Sequence, residues 1–123
     1  MRDLMSQEIY ISGMGIAPEV LATVVTRSVE EIEGVASVGV KDLAANLVSM
    51  FSTRTVSSAP AVEAAVVDDK LAITVHLVVF FGYPFKKLAD VVREAVVHGI
   101  DAQVGVEVAR VDVCIDGLVF PKE

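Results

Sequence analysis

Two similar stretches of the sequence constrain the fold more than any other feature. "GIAPEVLATVV" begins at Gly15 and "GYPFKKLADVV" begins at Gly82, and their Gly, Leu, Ala and paired Val residues coincide at a constant offset of 67 residues. In each copy a β-rich stretch precedes the glycine, and a helical apolar pattern opens with a proline, which the first turn of a helix tolerates. The chain is therefore predicted to contain two β-α-β-like halves.

Both predicted helices have an apolar stripe at helical spacing and a glycine after it. The first helix is predicted over residues 17–33 with Gly34 as its stop, and the second over residues 84–98 with Gly99 as its stop. The inward residues are predicted to be Leu21, Val24, Val25, Ser28 and Ile32 in the first helix and Phe85, Leu88, Val91, Val92 and Ala95 in the second.

The strands are predicted from alternating, β-rich runs over residues 8–12, 36–40, 62–67, 71–81 and 104–115. Asp68, Asp69 and Lys70 form the predicted turn of a hairpin between the third and fourth of these strands. In the last strand the valines occupy even positions up to Val108 and odd positions from Val111 onwards. Because a slip of one residue moves side chains to the opposite face of a sheet, we expect a β-bulge near residues 109–110.

These elements favour an α+β fold, a two-layer sandwich with two main helices on one face of a mainly antiparallel or mixed β-sheet. A length of 123 residues is typical of one domain. We therefore expect a single domain over residues 1–123, with residues 1–7 as an amino-terminal tail and residues 41–60 as a variable insert.

The composition indicates the kind of partner. Hydrophobic residues make up 54% of the chain, which favours self-association and predicts a homo-oligomer. The net charge of -7 argues against nucleic acid, which needs a basic face. No apolar run reaches the roughly 18 residues of a membrane span, so direct membrane insertion is not expected. Cys114 is the lone cysteine, which favours a cytoplasmic location, with a protein partner as the route to any membrane association.

No set of residues in the sequence predicts catalysis, a cofactor or a metal. Gly13 and Gly15 match the first two glycines of a dinucleotide-binding loop, but Pro18 occupies the third position. His76 and His98 have no Cys or carboxylate at the spacing of metal ligands, and both are interpreted as structural. We therefore expect no catalytic residues, no cofactor and no metal.

A candidate interface comes from the variable insert. Leu43, Leu47 and Phe51 stand at i, i+4 and i+8 and would form a short apolar stripe on a helix. An ordinary helix that covers the core would show the same spacing.

A second candidate interface comes from charges at the ends of the two helices. Glu30 and Glu31, followed by Glu33, stand at the carboxyl end of the first helix, and Lys86 and Lys87 stand in the first turn of the second. Both signs oppose the helix macrodipole. Either the two ends match each other within the chain, or one of them docks a protein partner.

Four quoted stretches carry a resemblance to a known family: "IAPEVLATVV", "VEEIEGVASV", "LAITVHLVVFFGYPFKKLADVVREAV" and "VEVARVDVCIDGLVF". In combination, over residues 8–120, they resemble the alkaline shock protein family. The resemblance implies a small cytosolic bacterial protein associated with cell-envelope stress in Gram-positive bacteria. It also implies self-association and a separate membrane-anchored partner, and it supplies no active-site residues.

The preferred interpretation is a non-catalytic interaction or scaffold protein that supports envelope homeostasis through self-association or a membrane-anchored partner. The alternative is a small-molecule or anion-binding module, or a small enzyme, that uses the start of the second helix. There Lys86, Lys87 and the free backbone N–H groups of the first turn would hold an anion.

Overall fold

The computed structural model describes residues 8–39 and 61–120. The helices and strands of these residues are β1 (Ile9–Ile11), β2 (Met14–Ile16), α1 (Pro18–Glu30), β3 (Val35–Val38), β4 (Val62–Val67), β5 (Lys70–Phe80), α2 (Phe85–Gln103) and β6 (Val108–Val119). The predicted tail over residues 1–7 and the predicted insert over residues 41–60 lie outside the described residues.

Strand β5 lies at the centre of the larger sheet. Along one edge it pairs antiparallel with β4 and, further on, with β3, and along the other edge it pairs parallel with β6. Between β4 and β3, the N–H of His76 donates to the carbonyl of Ala61, and the N–H of Gly39 donates to the carbonyl of His76, each at 2.8 Å. The residues that flank 40–60 therefore meet beside the middle of β5.

Both helices cover one face of this sheet, so the predicted α+β fold is confirmed. The side chains of β5 that point towards the helices are fully buried: Leu71, Ile73, Val75, Leu77 and Val79. The helices bury Leu21, Val25 and Val29 from α1 and Leu88, Val92, Val96 and Ile100 from α2. One apolar core therefore joins the two layers.

The predicted hairpin between β4 and β5 is present, but its turn consists of Asp68 and Asp69 alone, because Lys70 already pairs with Val67 as the first residue of β5. Asp68 and Asp69 have φ of 51° and 64°, the left-handed conformations that a two-residue hairpin turn requires. A second hairpin was not predicted: Ser12 and Gly13, with φ of 52° and 78°, join β1 to the short strand β2. The glycines of "SGMGIAP" therefore serve a chain reversal and a strand, not a phosphate loop.

The repeated stretches adopt different surroundings in the two halves. In the second half, β5, α2 and β6 form a parallel β-α-β unit within one sheet. In the first half, β2 pairs only with β1 among the described strands, in a separate two-stranded sheet, whereas β3 after α1 joins the larger sheet. The local pattern is thus duplicated, but the sheet pairing is not.

The predicted β-bulge in the last strand is confirmed. Leu71 pairs with Val108 and the next residue, Ala72, pairs with Arg110, so Ala109 is the extra residue. A second bulge follows, where Leu77 pairs with Ile115 and Val78 with Gly117. The strand itself begins at Val108 rather than at residue 104, because Val104 caps α2.

Gly99 does not end α2, which was the expectation from sequence. The helix continues to Gln103, and Gly105, with φ of +83°, follows its cap and donates its N–H to the carbonyl of Ile100. Gly99 instead lies where α2 crosses α1: a Cβ at this position would come within 2.2 Å of Ser28 Oγ. A close helix contact, not a chain stop, explains this glycine.

Helix α1 is shorter than expected and ends at Glu30, with Glu31 as its cap. Gly34 follows with φ of +104°. The buried side of the helix includes Val29, which was not among the predicted inward residues, and Ser28 uses its hydroxyl to donate to the carbonyl of Val24 at 2.8 Å.

Candidate functional site

A groove lies between the carboxyl end of α1 and the start of α2. It encloses about 370 Å³, and its lining residues are Ile32, Glu33, Tyr83, Pro84, Lys87, Leu88 and Val91. Gly34 is required beneath it, because a Cβ there would come within 2.9 Å of the Tyr83 ring. The groove is mainly apolar, with one carboxylate and one ammonium group at its wall.

Tyr83 and Glu33 form the hydrogen bond that joins the two sides of this groove. The Tyr83 hydroxyl donates to Glu33 Oε2 at 3.1 Å. This bond, followed by desolvation and the negative charge of Glu33, raises the pKa of Tyr83 above its ordinary value of 10.0. Because the folded-state pKa is raised, the bond favours the folded state below pH 10, and this contribution is lost as the pH rises through the folded-state pKa.

The replacement Glu33→Gln is expected to lower the pKa of Tyr83 towards its ordinary value, since a neutral amide stabilises the protonated phenol less than a carboxylate does. The chain has two tyrosines and no tryptophan, so Tyr10→Phe leaves Tyr83 as the single phenol. A pH titration of tyrosinate absorbance in the Y10F background measures this pKa. Glu31→Gln is the matched control and should leave it unchanged; an equal pKa in Y10F and Y10F/E33Q would contradict the assignment.

The oppositely charged helix ends predicted from sequence lie at the two sides of this groove. Glu33 and Lys87 line it and are exposed, as are Glu30, Glu31 and Lys86 beside it. Among the ion pairs formed between described residues, none includes Glu30, Glu31, Lys86 or Lys87. The acidic end of α1 and the basic start of α2 therefore lie near each other without a direct ion pair between these four residues. Their role as an interface stays a prediction.

Leu43, Leu47 and Phe51, the other predicted interface, lie outside the described residues. Their assignment as an apolar stripe therefore also stays a prediction.

His76 has carboxylate neighbours that sequence spacing did not predict. Its Nδ1 lies 2.9 Å from Asp116 Oδ2, and its Nε2 lies 3.7 Å from Glu63 Oε2. Asp116 stands two residues after Cys114, which pairs with His76, and therefore lies on the same face of the sheet as His76. Within the described residues no group of three His, Cys, Asp or Glu side chains could hold a metal ion. The two carboxylates face opposite ring nitrogens and so do not converge on one point.

An exposed apolar cluster lies at the end of the sheet where β5 and β6 both finish. Phe81 and Phe120 stack with ring centroids 4.7 Å apart and remain 54% and 66% exposed. Leu118, at 44%, and Phe85, at 48%, lie at the same end. We call these four residues the aromatic end. Sequence reasoning missed it, because Phe81 and Phe120 become neighbours only through the parallel pairing of β5 with β6; an aromatic residue after each strand was the available signal.

The fold and these surfaces define a small α+β protein whose most distinct features are an apolar groove and an exposed apolar cluster. The chain belongs to the alkaline shock protein family, described as having a cell envelope-related function, and the family match spans residues 7–120. The resemblance of the sequence to this family is thereby confirmed.

Other comparisons add little to this assignment. No curated protein matches the sequence. One solved structure, of a variant of MamM, is similar to this chain at 13% identity, over 84% of this chain and 96% of the other, with a TM-score of 0.45. Neither helix in the described part of the chain is long and apolar enough to cross a membrane.

Proposed function

We propose that this protein is a non-catalytic interaction protein of the cell envelope, acting in the cytoplasm through self-association or through a membrane-anchored partner. The aromatic end is the observation that carries the proposal. Phe81 and Phe120 remain 54% and 66% exposed, although aromatic side chains gain most from burial. Exposed apolar clusters of this kind mark surfaces that bind other proteins.

The family supports the envelope part of the proposal, since its description is a cell envelope-related function. The partner itself is a proposal drawn from surface chemistry. An apolar, aromatic surface on an acidic chain fits an apolar protein surface better than nucleic acid or an anionic lipid face.

The double replacement Phe81→Ser with Phe120→Ser is expected to abolish capture of the partner, because aromatic anchors supply most of the binding energy in such interfaces. The measurement is a pull-down from native membrane and cytosol fractions, followed by mass spectrometry. Val20→Ser, which alters a residue 50% exposed on α1, is the control. A membrane protein captured by the parent and the control, and lost by the double variant, is the expected result; equal capture by all three would contradict the proposal.

The alternative function, anion binding at the start of α2, has one favourable observation. Pro84 caps this helix without a side-chain hydrogen bond, so side chains do not occupy the N–H groups of the first turn. Glu33 in the same groove opposes an anion, and we therefore rank this function second.

If the alternative holds, inorganic phosphate should bind saturably and shift the amide signals of residues 85–87 in a heteronuclear NMR titration. The replacements Lys86→Glu and Lys87→Glu should remove that shift by repulsion. Signals that drift linearly with phosphate concentration, equally in the parent and in K86E/K87E, would exclude the site.

A further inference from the structure

Within the described part of the chain, strand β6 lies at an edge of the larger sheet. Among the described strands only β5 pairs with it, and the pairing takes one of its two edges. Its 12 residues make it the longest strand described, and most of its side chains are exposed or half-buried. A long unpaired edge presents free N–H and C=O groups, which are a template for another strand.

The two bulges leave one regular stretch between them, residues 111–115. The carbonyl oxygens of Glu107 and Val119 accept hydrogen bonds from the backbone N–H groups of Leu71 and Phe81. Both carbonyls therefore point towards β5. Backbone groups alternate along a strand, and each bulge shifts the alternation by one residue. Counted from either end, the backbone groups of Asp112 and Cys114 point towards β5. The N–H and C=O groups of Val111, Val113 and Ile115 therefore point to the free edge.

An antiparallel copy of this stretch, centred on Val113, satisfies all of these free groups. Val113 exchanges its two backbone hydrogen bonds with Val113 of the second copy, and Val111 does the same with Ile115 of the second copy, in both directions. These side chains lie on the face that the helices cover, so apolar residues oppose apolar residues. The contact is the same on both copies, as a two-fold axis requires.

The charges on the other face select this register. Just beyond the regular stretch, Arg110 comes opposite Asp116 of the second copy, twice per pair. Within one copy Arg110 Nε lies 3.0 Å from Asp112 Oδ2 and Asp116 Oδ2 lies 2.9 Å from His76 Nδ1, and Arg110 and Asp116 remain 58% and 45% exposed towards solvent. Centring the pair on Asp112 places that aspartate opposite itself, and centring it on Cys114 places Asp112 opposite Asp116, which is repulsive in both cases. Centring on Val113 pairs the regular stretch 111–115 with itself and leaves both bulges outside it, whereas centring on Val111 or Ile115 places the bulge residue Ala109 or Asp116 opposite a residue of that stretch.

We propose that a second copy of this chain pairs antiparallel with the free edge of β6, about a two-fold axis at Val113, with Arg110 and Asp116 matched across the contact. The larger sheet then continues from one copy into the next. This inference rests on the self-association part of the proposed function and names its surface.

Charge exchange tests the contact. Arg110→Asp and Asp116→Arg are each expected to weaken self-association of the full chain by roughly tenfold or more, since each places like charges opposite one another twice. An equimolar mixture of R110D and D116R restores both attractive pairs and should associate again, as a heterodimer. Sedimentation equilibrium measures all samples, and Arg27→Asp, an equal charge change on α1, is the control that should associate like the parent.

The outcomes separate this contact from self-association in general. If the parent chain stays monomeric at every concentration, both the β6 contact and the self-association part of the proposed function are wrong. If R110D and D116R associate as well as the parent and R27D do, the β6 contact is wrong, but self-association itself is supported. Loss of association in both variants without recovery on mixing overturns the antiparallel register.

A measurement on the parent chain does not depend on the variants folding. Amide hydrogen exchange, followed by NMR at low and high protein concentration, should slow at Val111, Val113 and Ile115 as the concentration rises. The amides of Asp112 and Cys114 bond β5 in either state and should not change with concentration. Association without that alternating protection overturns the proposal.

Discussion

Replacing Leu77 by alanine is expected to lower the free energy of unfolding by about 3 kcal/mol, the scale for a large buried aliphatic residue replaced by alanine. Leu77 is fully buried in β5 and lies between Val38 of β3 and Ile115 of β6 in the sheet. Rigid strands on both sides limit how far the cavity can collapse. Denaturant unfolding followed by circular dichroism measures the loss.

Leu118→Ala is the matched control, because it removes the same atoms from a side chain that is 44% exposed. We expect it to cost less than about 1 kcal/mol. If L77A and L118A lowered the free energy of unfolding equally, β5 would not be the centre of the core.

The second large effect is expected at Gly99, where leucine should lower the free energy of unfolding by about 2 to 3 kcal/mol, as overpacking at a tight contact does. A Cβ alone would come within 2.2 Å of Ser28 Oγ and 3.8 Å of Val24 Cγ1, so a larger side chain forces α1 and α2 apart. Thermal and denaturant unfolding measure the change. The sequence prediction treated Gly99 as the stop of the helix, and leucine would then destabilise the protein through a positive φ. Gly99 instead lies within the helix, so the loss of stability comes from the clash with α1.

Two further variants identify the cause at Gly99. Val97→Leu alters an exposed residue on the opposite side of α2 and should be nearly neutral. In the parent, alanine at position 99 gains helix propensity but clashes with Ser28 Oγ. Ser28→Ala removes that oxygen, so Gly99→Ala should raise the free energy of unfolding more in the S28A background than in the parent. Additive effects of S28A and G99A would show that the two residues do not share a contact.

The proposed activities use different parts of the surface. The aromatic end lies where β5 and β6 finish, whereas the proposed contact with a second copy is centred at Val113, in the middle of β6. Self-association by the edge of β6 therefore leaves Phe81 and Phe120 available for another protein. Each copy of the two-fold pair keeps its own aromatic end, and because the two copies of β6 run antiparallel, these two surfaces lie at opposite ends of the shared sheet.

Much of the architecture could be predicted from local patterns. The hairpin at Asp68 and Asp69, the bulge at Ala109 and the α+β class follow from side-chain periodicity and turn residues, which act over a few neighbouring positions. The family could likewise be identified, because its marks are short quoted stretches of the sequence.

The side-chain contacts between elements depend on residues far apart in the chain. Gly99 against Ser28, Tyr83 with Glu33, and His76 with Asp116 are contacts across elements, set by how the helices cross and how the strands register. No local spacing predicts these contacts. From sequence, a glycine after a helical pattern predicts the end of the helix, and a histidine in a strand shows no partner at short spacing.

The sequence by itself predicted both described helices, the strands other than β2, the position where one strand changes phase, and the family to which the chain belongs. The tertiary structure alone decided that β5 pairs parallel with β6, that Phe81 stacks on Phe120, and that one edge of β6 is open among the described strands. The physical reason is range: periodicity and turns are local, whereas pairing and packing are chosen by burial of the whole core.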